Sequence, residues 1–264
     1  MSPLEALALG LVQGLTEFLP VSSSGHLVLG QALLGIHLPG VTFEVTVHLA
    51  TLCAVLWVYR RRVGSLAAGA VRGERAAWIY IGLLALASVP AGLVGVLLRD
   101  WFESAFGRPV FAAVLLVVTG FIVYSVRFTS PRAEDPSPSV RQAVWIGIAE
   151  AAAILPGLSR SGATVAVGTW RGVEAVAVAE FSFLLSVPAI LGAGVLQLGD
   201  SGSGSGPGSM VLSVGFAAAL VAGVAAIRLF VRMLEAGAFH RCAWYCWAAG
   251  SAYLVAAAFL PGLR

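Results

Sequence analysis

Ten residues, LPVSSSGHLV (19–28), put three serines, a glycine and a histidine into a chain that is 59% hydrophobic and 11% charged. A second stretch, LPGLSRSGATVAVG (155–168), repeats the pattern with an arginine between its serines. Just before the first stretch, Gln13 and Glu17 stand four apart, so a helix carries both on one face, with Thr16 to the side. Ser22, Ser23, Ser24 and His26 follow, and the second stretch adds Ser159, Arg160, Ser161 and Thr164. An ionisable residue at membrane depth marks a functional site by default. Here a carboxylate, an imidazole and a guanidinium occur together.

These residue types suit phosphate chemistry. Arg160 offers a planar fork of donors to phosphate oxygens. SRSG opens a half-helix, whose free N–H groups and positive dipole end attract an anion, with Ser22, Ser159, Ser161 and Thr164 as further donors. Glu17 with Gln13 supplies hard oxygens for a divalent cation, Mg or Ca, that also keeps water and phosphate ligands. His26 has the chemistry of a base or a nucleophile at neutral pH, and Ser23 is a candidate nucleophile within its reach. The attacking group is left open between His26, Ser23 and an activated water. Each residue also has a plainer use, as an ion-pair partner, a core histidine, a headgroup contact or a helix cap. Their joint presence in two matching breaks favours function.

The elements that must position them are membrane helices. A mean hydropathy of +0.92 excludes an ordinary soluble domain. Apolar runs of helix-spanning length, without the short alternation of a barrel, give an all-α integral membrane protein. Six stretches are long enough to cross: 42–59, 76–98, 109–127, 176–198, 210–232 and 239–260. Two further regions are too short and too broken to cross. They pair 4–18 with 26–36 and 140–155 with 161–171, the pattern of re-entrant helical hairpins.

Pro20 to Pro156 spans the same distance as Glu44 to Glu180, and SSSG (22–25) aligns with SRSG (159–162). The expected architecture is therefore one membrane domain over 1–264. It is an inverted repeat of two units, each a re-entrant hairpin plus three transmembrane helices. Repeat one covers 1–128 and repeat two 139–264, joined by a short cytoplasmic linker at 129–138. Three spans being odd, the second copy enters upside down, and the site falls between the copies.

The cationic residues are all Arg and cluster in 60–75, 127–141 and 228–241. Those segments are expected to be cytoplasmic, with both termini outside and DSGSGSGPGS (200–209) as an external linker. No basic face for nucleic acid is visible. Cys53, Cys242 and Cys246 suggest core thiols instead of disulfides. Glu5, Gln13 and Glu17 interrupt the first apolar run, so it is not expected to be a secretory signal.

QGLTEFLPVSSSGH and PGLSRSGAT resemble the paired motifs of the undecaprenyl-diphosphate phosphatase family associated with bacitracin resistance. The resemblance extends through FEVTVHLAT and EFSFLLSVPA to essentially the whole chain. It implies hydrolysis of undecaprenyl diphosphate to the monophosphate and inorganic phosphate, which recycles the lipid carrier for peptidoglycan and other cell-wall polymers. It also implies a divalent cation, a polyprenyl diphosphate substrate, and a plasma-membrane enzyme open to the extracytoplasmic side. Carried over by position, it marks Gln13, Glu17, Ser23, His26, Ser159, Arg160 and Thr164. The family pattern has Glu or Gln at the first position, and Gln13 leaves one carboxylate fewer. A homodimer is left open.

The rival reading is a polyprenyl-phosphate flippase or another secondary transporter, since inverted repeats with broken helices also build those. The phosphatidic-acid-phosphatase superfamily is excluded, because its motif needs a lysine and this chain has none.

Overall fold

The computed structural model describes residues 1–34, 41–129, 135–199, 208–260 and 263. Within them the first half holds α1 (Pro3–Phe18), α2 (Ser23–Leu34), α3 (Val41–Val58), α4 (Arg60–Val71), α5 (Arg75–Leu97), α6 (Arg99–Phe106) and α7 (Pro109–Ser125). The second half holds α8 (Val140–Ala152), α9 (Arg160–Trp170), α10 (Ala175–Gly199), α11 (Ser209–Glu235) and α12 (Cys242–Phe259). The β pairing among the described residues is an isolated bridge between Asp135 and Val173. The linker read at 200–209 lies almost wholly outside the described residues, as do Arg132 and Arg264.

Five helices are long and apolar enough to cross a membrane, and a sixth span results if the bent pair Thr42–Val58 and Arg60–Val71 counts as one. This is a multi-pass membrane protein. The segment expected as a loop at 60–75 is largely the helix α4, turned 75° from α3. Its Arg, Leu and Ala residues are good helix formers, and three arginines at its start hold that end polar. Arg60 stacks over Trp57 at 5.1 Å, and Arg62 lies 4.6 Å over Tyr80.

The two short helices that carry the breaks start alike. Ser2 caps α1 and Glu5 returns a bond to the Ser2 N–H at 2.9 Å. Ser139 caps α8, and Gln142 accepts from the Ser139 N–H at 2.6 Å. Both are capping boxes, which satisfy helix-end donors reciprocally. With 16 and 13 residues, these helices are about 24 and 20 Å long. Neither matches a hydrocarbon core of about 30 Å. α1 ends because Leu19, the residue before Pro20, is extended, whereas α8 ends at Ala152, already short of the Pro156 break.

Packing crosses between the halves. α1 lies along α11, and α8 lies along α5. Lipid tails are as apolar as these side chains, so close contact of small residues must supply the attraction. A Cβ on Gly10 would meet the Gly215 carbonyl oxygen at 2.5 Å, and one on Gly147 would meet Ala87 Cα at 2.9 Å. A central aromatic core joins them: Phe18 of α1 meets Phe183 of α10 edge-on at 5.5 Å, and Phe183 meets Phe230 of α11 at 5.2 Å. Glu17 sits one residue before Phe18, so this core fixes where its carboxylate points.

Candidate functional site

The two breaks are built alike down to single hydrogen bonds. Ser22 Oγ accepts from the Gly25 N–H at 3.2 Å, and Ser159 Oγ accepts from the Gly162 N–H at 3.2 Å. Ser22 Oγ lies 3.3 Å from Ser24 Oγ, as Ser159 Oγ does from Ser161 Oγ. The breaks also touch. A Cβ on Gly25 would come within 2.9 Å of Gly157 Cα, and Ser161 Oγ donates to the Leu19 carbonyl at 3.2 Å. Ser22 has φ +65°, a left-handed conformation costly for a residue with a side chain. That strain sits directly before Ser23, at the start of α2.

Glu17 is the hub. It is 9% exposed. Its Oε2 accepts from Ser23 Oγ at 2.6 Å and from Gln13 Nε2 at 3.0 Å. Its Oε1 pairs with Arg160 Nη2 at 2.6 Å. The structure thus brings Gln13, Glu17 and Ser23 of the first motif against Arg160 of the second. Both motif helices, α2 and α9, start here, so their positive ends converge on the same space.

That space is a cavity of about 880 Å³. Its polar end is formed by Glu17, Ser23, His48, Glu150, Ser159 and Arg160, with Ser22 and Ser24 beside them. Its remaining wall carries the hydroxyls of Thr16 and Ser88 but is otherwise apolar and includes Val45, Leu49, Val96, Ile154 and Ile190. A polar head with an apolar tail matches such a shape.

The other site candidates fall elsewhere. His26 turns toward α12: its Nδ1 lies 2.8 Å from the Ser22 carbonyl oxygen and its Nε2 lies 2.7 Å from the Tyr245 hydroxyl. The carbonyl can only accept, so Nδ1 donates and Nε2 of the neutral ring accepts from Tyr245. The ring stacks on Tyr245 at 5.5 Å and is not among the residues lining the cavity. Thr164 is fully buried and bonds the Arg160 carbonyl and Ser182 Oγ, each at 2.7 Å. It ties the first turn of α9 to α10.

Two groups in the cavity wall were not singled out from the sequence, His48 on α3 and Glu150 on α8. His48 lies in FEVTVHLAT, a stretch noted for resemblance but not for its histidine. Its Nδ1 lies 2.8 Å from the Glu44 carbonyl oxygen, so that nitrogen donates. Glu150 was visible as an ionisable residue in an apolar half-helix, a signal available without any structure.

A family model described as "Bacitracin resistance protein BacA" matches residues 6–252. The chain belongs to the BacA family. Among similar curated proteins is the undecaprenyl-diphosphatase of Rubrobacter xylanophilus. It is 41% identical over 276 residues, covering 97% of this chain and 98% of that protein. The undecaprenyl-diphosphatase of Methanobrevibacter smithii is 38% identical over 270 residues, covering 95% and 96%. The one from Bacteroides thetaiotaomicron is 38% identical over 263 residues, covering 97% and 99%. These BacA-family relatives align along nearly their full length, so both motifs and the spans between them fall inside the matched region.

Proposed function

We propose that the protein is an undecaprenyl-diphosphate phosphatase, releasing inorganic phosphate and undecaprenyl phosphate for reuse in cell-wall synthesis and so supporting bacitracin resistance. The observation that carries this reading is one chain of contacts, Ser23 to Glu17 to Arg160, each 2.6 Å long, at the polar end of an otherwise mostly apolar cavity.

Ser23 is the nucleophile in this mechanism. The terminal phosphate enters against Arg160, Ser159 and the first turns of α2 and α9. Glu17 takes the Ser23 proton as Oγ bonds to the terminal phosphorus and the bond from that phosphorus to the bridging oxygen breaks. The bridging oxygen leaves with the lipid phosphate, which accepts the proton from Glu17. Water then attacks the phosphoserine, giving a proton to Glu17, and Glu17 returns it to Ser23 as phosphate departs. His26 acts as a positioning residue, holding the strained Ser22 carbonyl so that Ser23 faces Glu17. Ser161 and Thr164 brace the second break.

A divalent cation, Mg or Ca, is the proposed cofactor. Gln13 turns its Nε2 to Glu17 and leaves its buried Oε1 without a partner; with the amide flipped, the two side chains would offer hard oxygens that fit such an ion in kind. Among the described residues no group of three or more His, Cys, Asp and Glu is placed to hold a metal, so phosphate and water would have to supply the rest of its ligands. When bound, the ion neutralises charge on the phosphoryl oxygens.

We further propose that the two halves form an inverted repeat with re-entrant α1–α2 and α8–α9 pairs, and that the site opens to the extracytoplasmic side of the plasma membrane. The reciprocal packing of α1 on α11 and α8 on α5 supports the first. For the second, the cavity is lined by the start of α3 and the ends of α5 and α10. Those ends lie opposite the arginine-bearing ends at Arg60–Arg62, Arg75 and Arg232.

Phosphate release from polyprenyl diphosphates by the purified protein, with and without chelator, tests the reading. Transport of the lipid without phosphate release would favour a flippase instead.

A further inference from the structure

One carboxyl group in the cavity wall has nothing to bind. Glu150 is 3% exposed, and no hydrogen bond reaches either of its oxygens. Arg160 is near enough to attract it, yet the guanidinium spends Nη2 on Glu17 at 2.6 Å. Its buried Nη1 has no partner either. Both residues line one cavity, and their unmet atoms lie closed off just beneath its surface, within a side-chain rotation of what the cavity holds. Buried polar groups are nearly always satisfied, and leaving one unpaired costs free energy. A ligand that meets both would remove that cost.

Charge decides what the ligand meets. Among the described residues, the charged and titratable groups lining the cavity are Glu17, His48, Glu150 and Arg160. α5, which packs along α8, adds only the Ser88 hydroxyl to the polar wall, and α9 adds Arg160. Glu17 and Arg160 cancel each other. An ionised Glu150 would then stand unpaired in a poorly solvated wall, beside a substrate that is itself an anion. A neutral Glu150 avoids both costs and gains an O–H donor.

We propose that Glu150 is a phosphate-binding residue. As a neutral acid it donates a hydrogen bond to an oxygen of the bound diphosphate, while Arg160 Nη1 holds a neighbouring oxygen. The proposal rests on the reading of this cavity as the lipid-diphosphate site. It gives Glu150, outside both sequence motifs, a direct part in gripping the phosphate.

The test uses the full chain in detergent, with a polyprenyl diphosphate as substrate and inorganic phosphate as competitive inhibitor. Glu150→Leu keeps a similar volume and removes the donor. Its KM should rise about tenfold to a hundredfold, the effect of losing a hydrogen bond to a charged partner, with a smaller fall in kcat. Glu150→Gln keeps a donor without a charge and should recover KM to within about threefold of the parent. The inhibition constant for phosphate should follow the same order across the three proteins. A Gln variant as poor as the Leu variant would show that the negative charge is required, as for a cation ligand, and overturn the proposal. So would a Leu variant with the parent's KM and phosphate affinity. A parent protein that releases no phosphate would instead overturn the phosphatase reading, and this proposal with it.

Discussion

Ser23 Oγ donates to Glu17 Oε2 at 2.6 Å, across the break between α1 and α2. A hydroxyl held that closely by a buried carboxylate is arranged for proton transfer. His26 offers no comparable contact, since the Ser22 carbonyl and Tyr245 occupy both of its nitrogens.

If Ser23 attacks phosphorus, Ser23→Ala leaves only binding and charge stabilisation. Turnover should fall by a factor on the order of 10³ or more, with the protein still monodisperse in detergent. Brief mixing with labelled substrate should trap phosphate on the parent at Ser23, in acid-stable form. Label found on His26, or an active Ser23→Ala variant, would remove Ser23 from this role.

Arg160→Lys should not rescue what Arg160→Ala loses. The guanidinium pairs with Glu17 through one nitrogen and has another available for phosphate, a division an ammonium on a flexible stem cannot reproduce. A loss of about 10²–10³ in kcat/KM is expected. Activity within about threefold of the parent would show that only the charge matters.

The sequence carried most of this site and less of its surroundings. Gln13, Glu17, Ser23 and Arg160 were legible because polar residues are conspicuous in an apolar chain, and the helix period set Gln13 and Glu17 on one face. The spans were legible for the same reason. His26 was grouped with them because it adjoins Ser24 and Gly25 in the chain. Its side chain nevertheless points to α12, since a helix turns successive residues by about 100°. α4 was missed because its arginines read as a loop, whereas a helix at a membrane surface tolerates them on its polar side. Partnership across long separations, such as Tyr245 with His26, leaves no local pattern.

Orientation gives a third expectation. In a background lacking Cys53, Cys242 and Cys246, a cysteine at Gly208 should react with an impermeant thiol reagent on intact cells. One at Arg72 should react only after lysis. The reverse pattern would place the cavity on the cytoplasmic side.

The close seat of the second break against α7 predicts a stability contrast between two glycines. Gly157 has φ +95° and Gly172 has φ +92°. Alanine at either position pays about 1–2 kcal/mol for the left-handed backbone. At Gly157 the new Cβ would also collide with the Ala112 carbonyl and come within 3.0 Å of Leu115 Cβ, whereas nothing lies within 4 Å at Gly172. Overpacking adds about 1–3 kcal/mol. Thermal unfolding in detergent should therefore show Gly157→Ala clearly below Gly172→Ala, and equal midpoints would deny tight packing at the break.

The last expectation concerns the charge on the α1 face. Gln13 Nε2 donates to Glu17 Oε2 at 3.0 Å, so Gln13→Glu exchanges a hydrogen bond for two facing carboxylates. Without a cation that pair should repel and lower the unfolding midpoint. With Mg or Ca present it becomes a better site, since affinity for hard ions depends on ligand charge count. The variant should thus be more strongly stabilised by the cation than the parent is, as binding to the folded state alone requires. It should also need less cation for half-maximal activity. Glu17→Gln moves the charge the other way. It removes the proposed base for Ser23 and leaves Arg160 without its partner, so turnover should be lost and added cation should not restore it. If the Gln13→Glu variant gains no extra stabilisation from either ion, the cation is not held at this face, and the substrate's own phosphates carry it into the cavity.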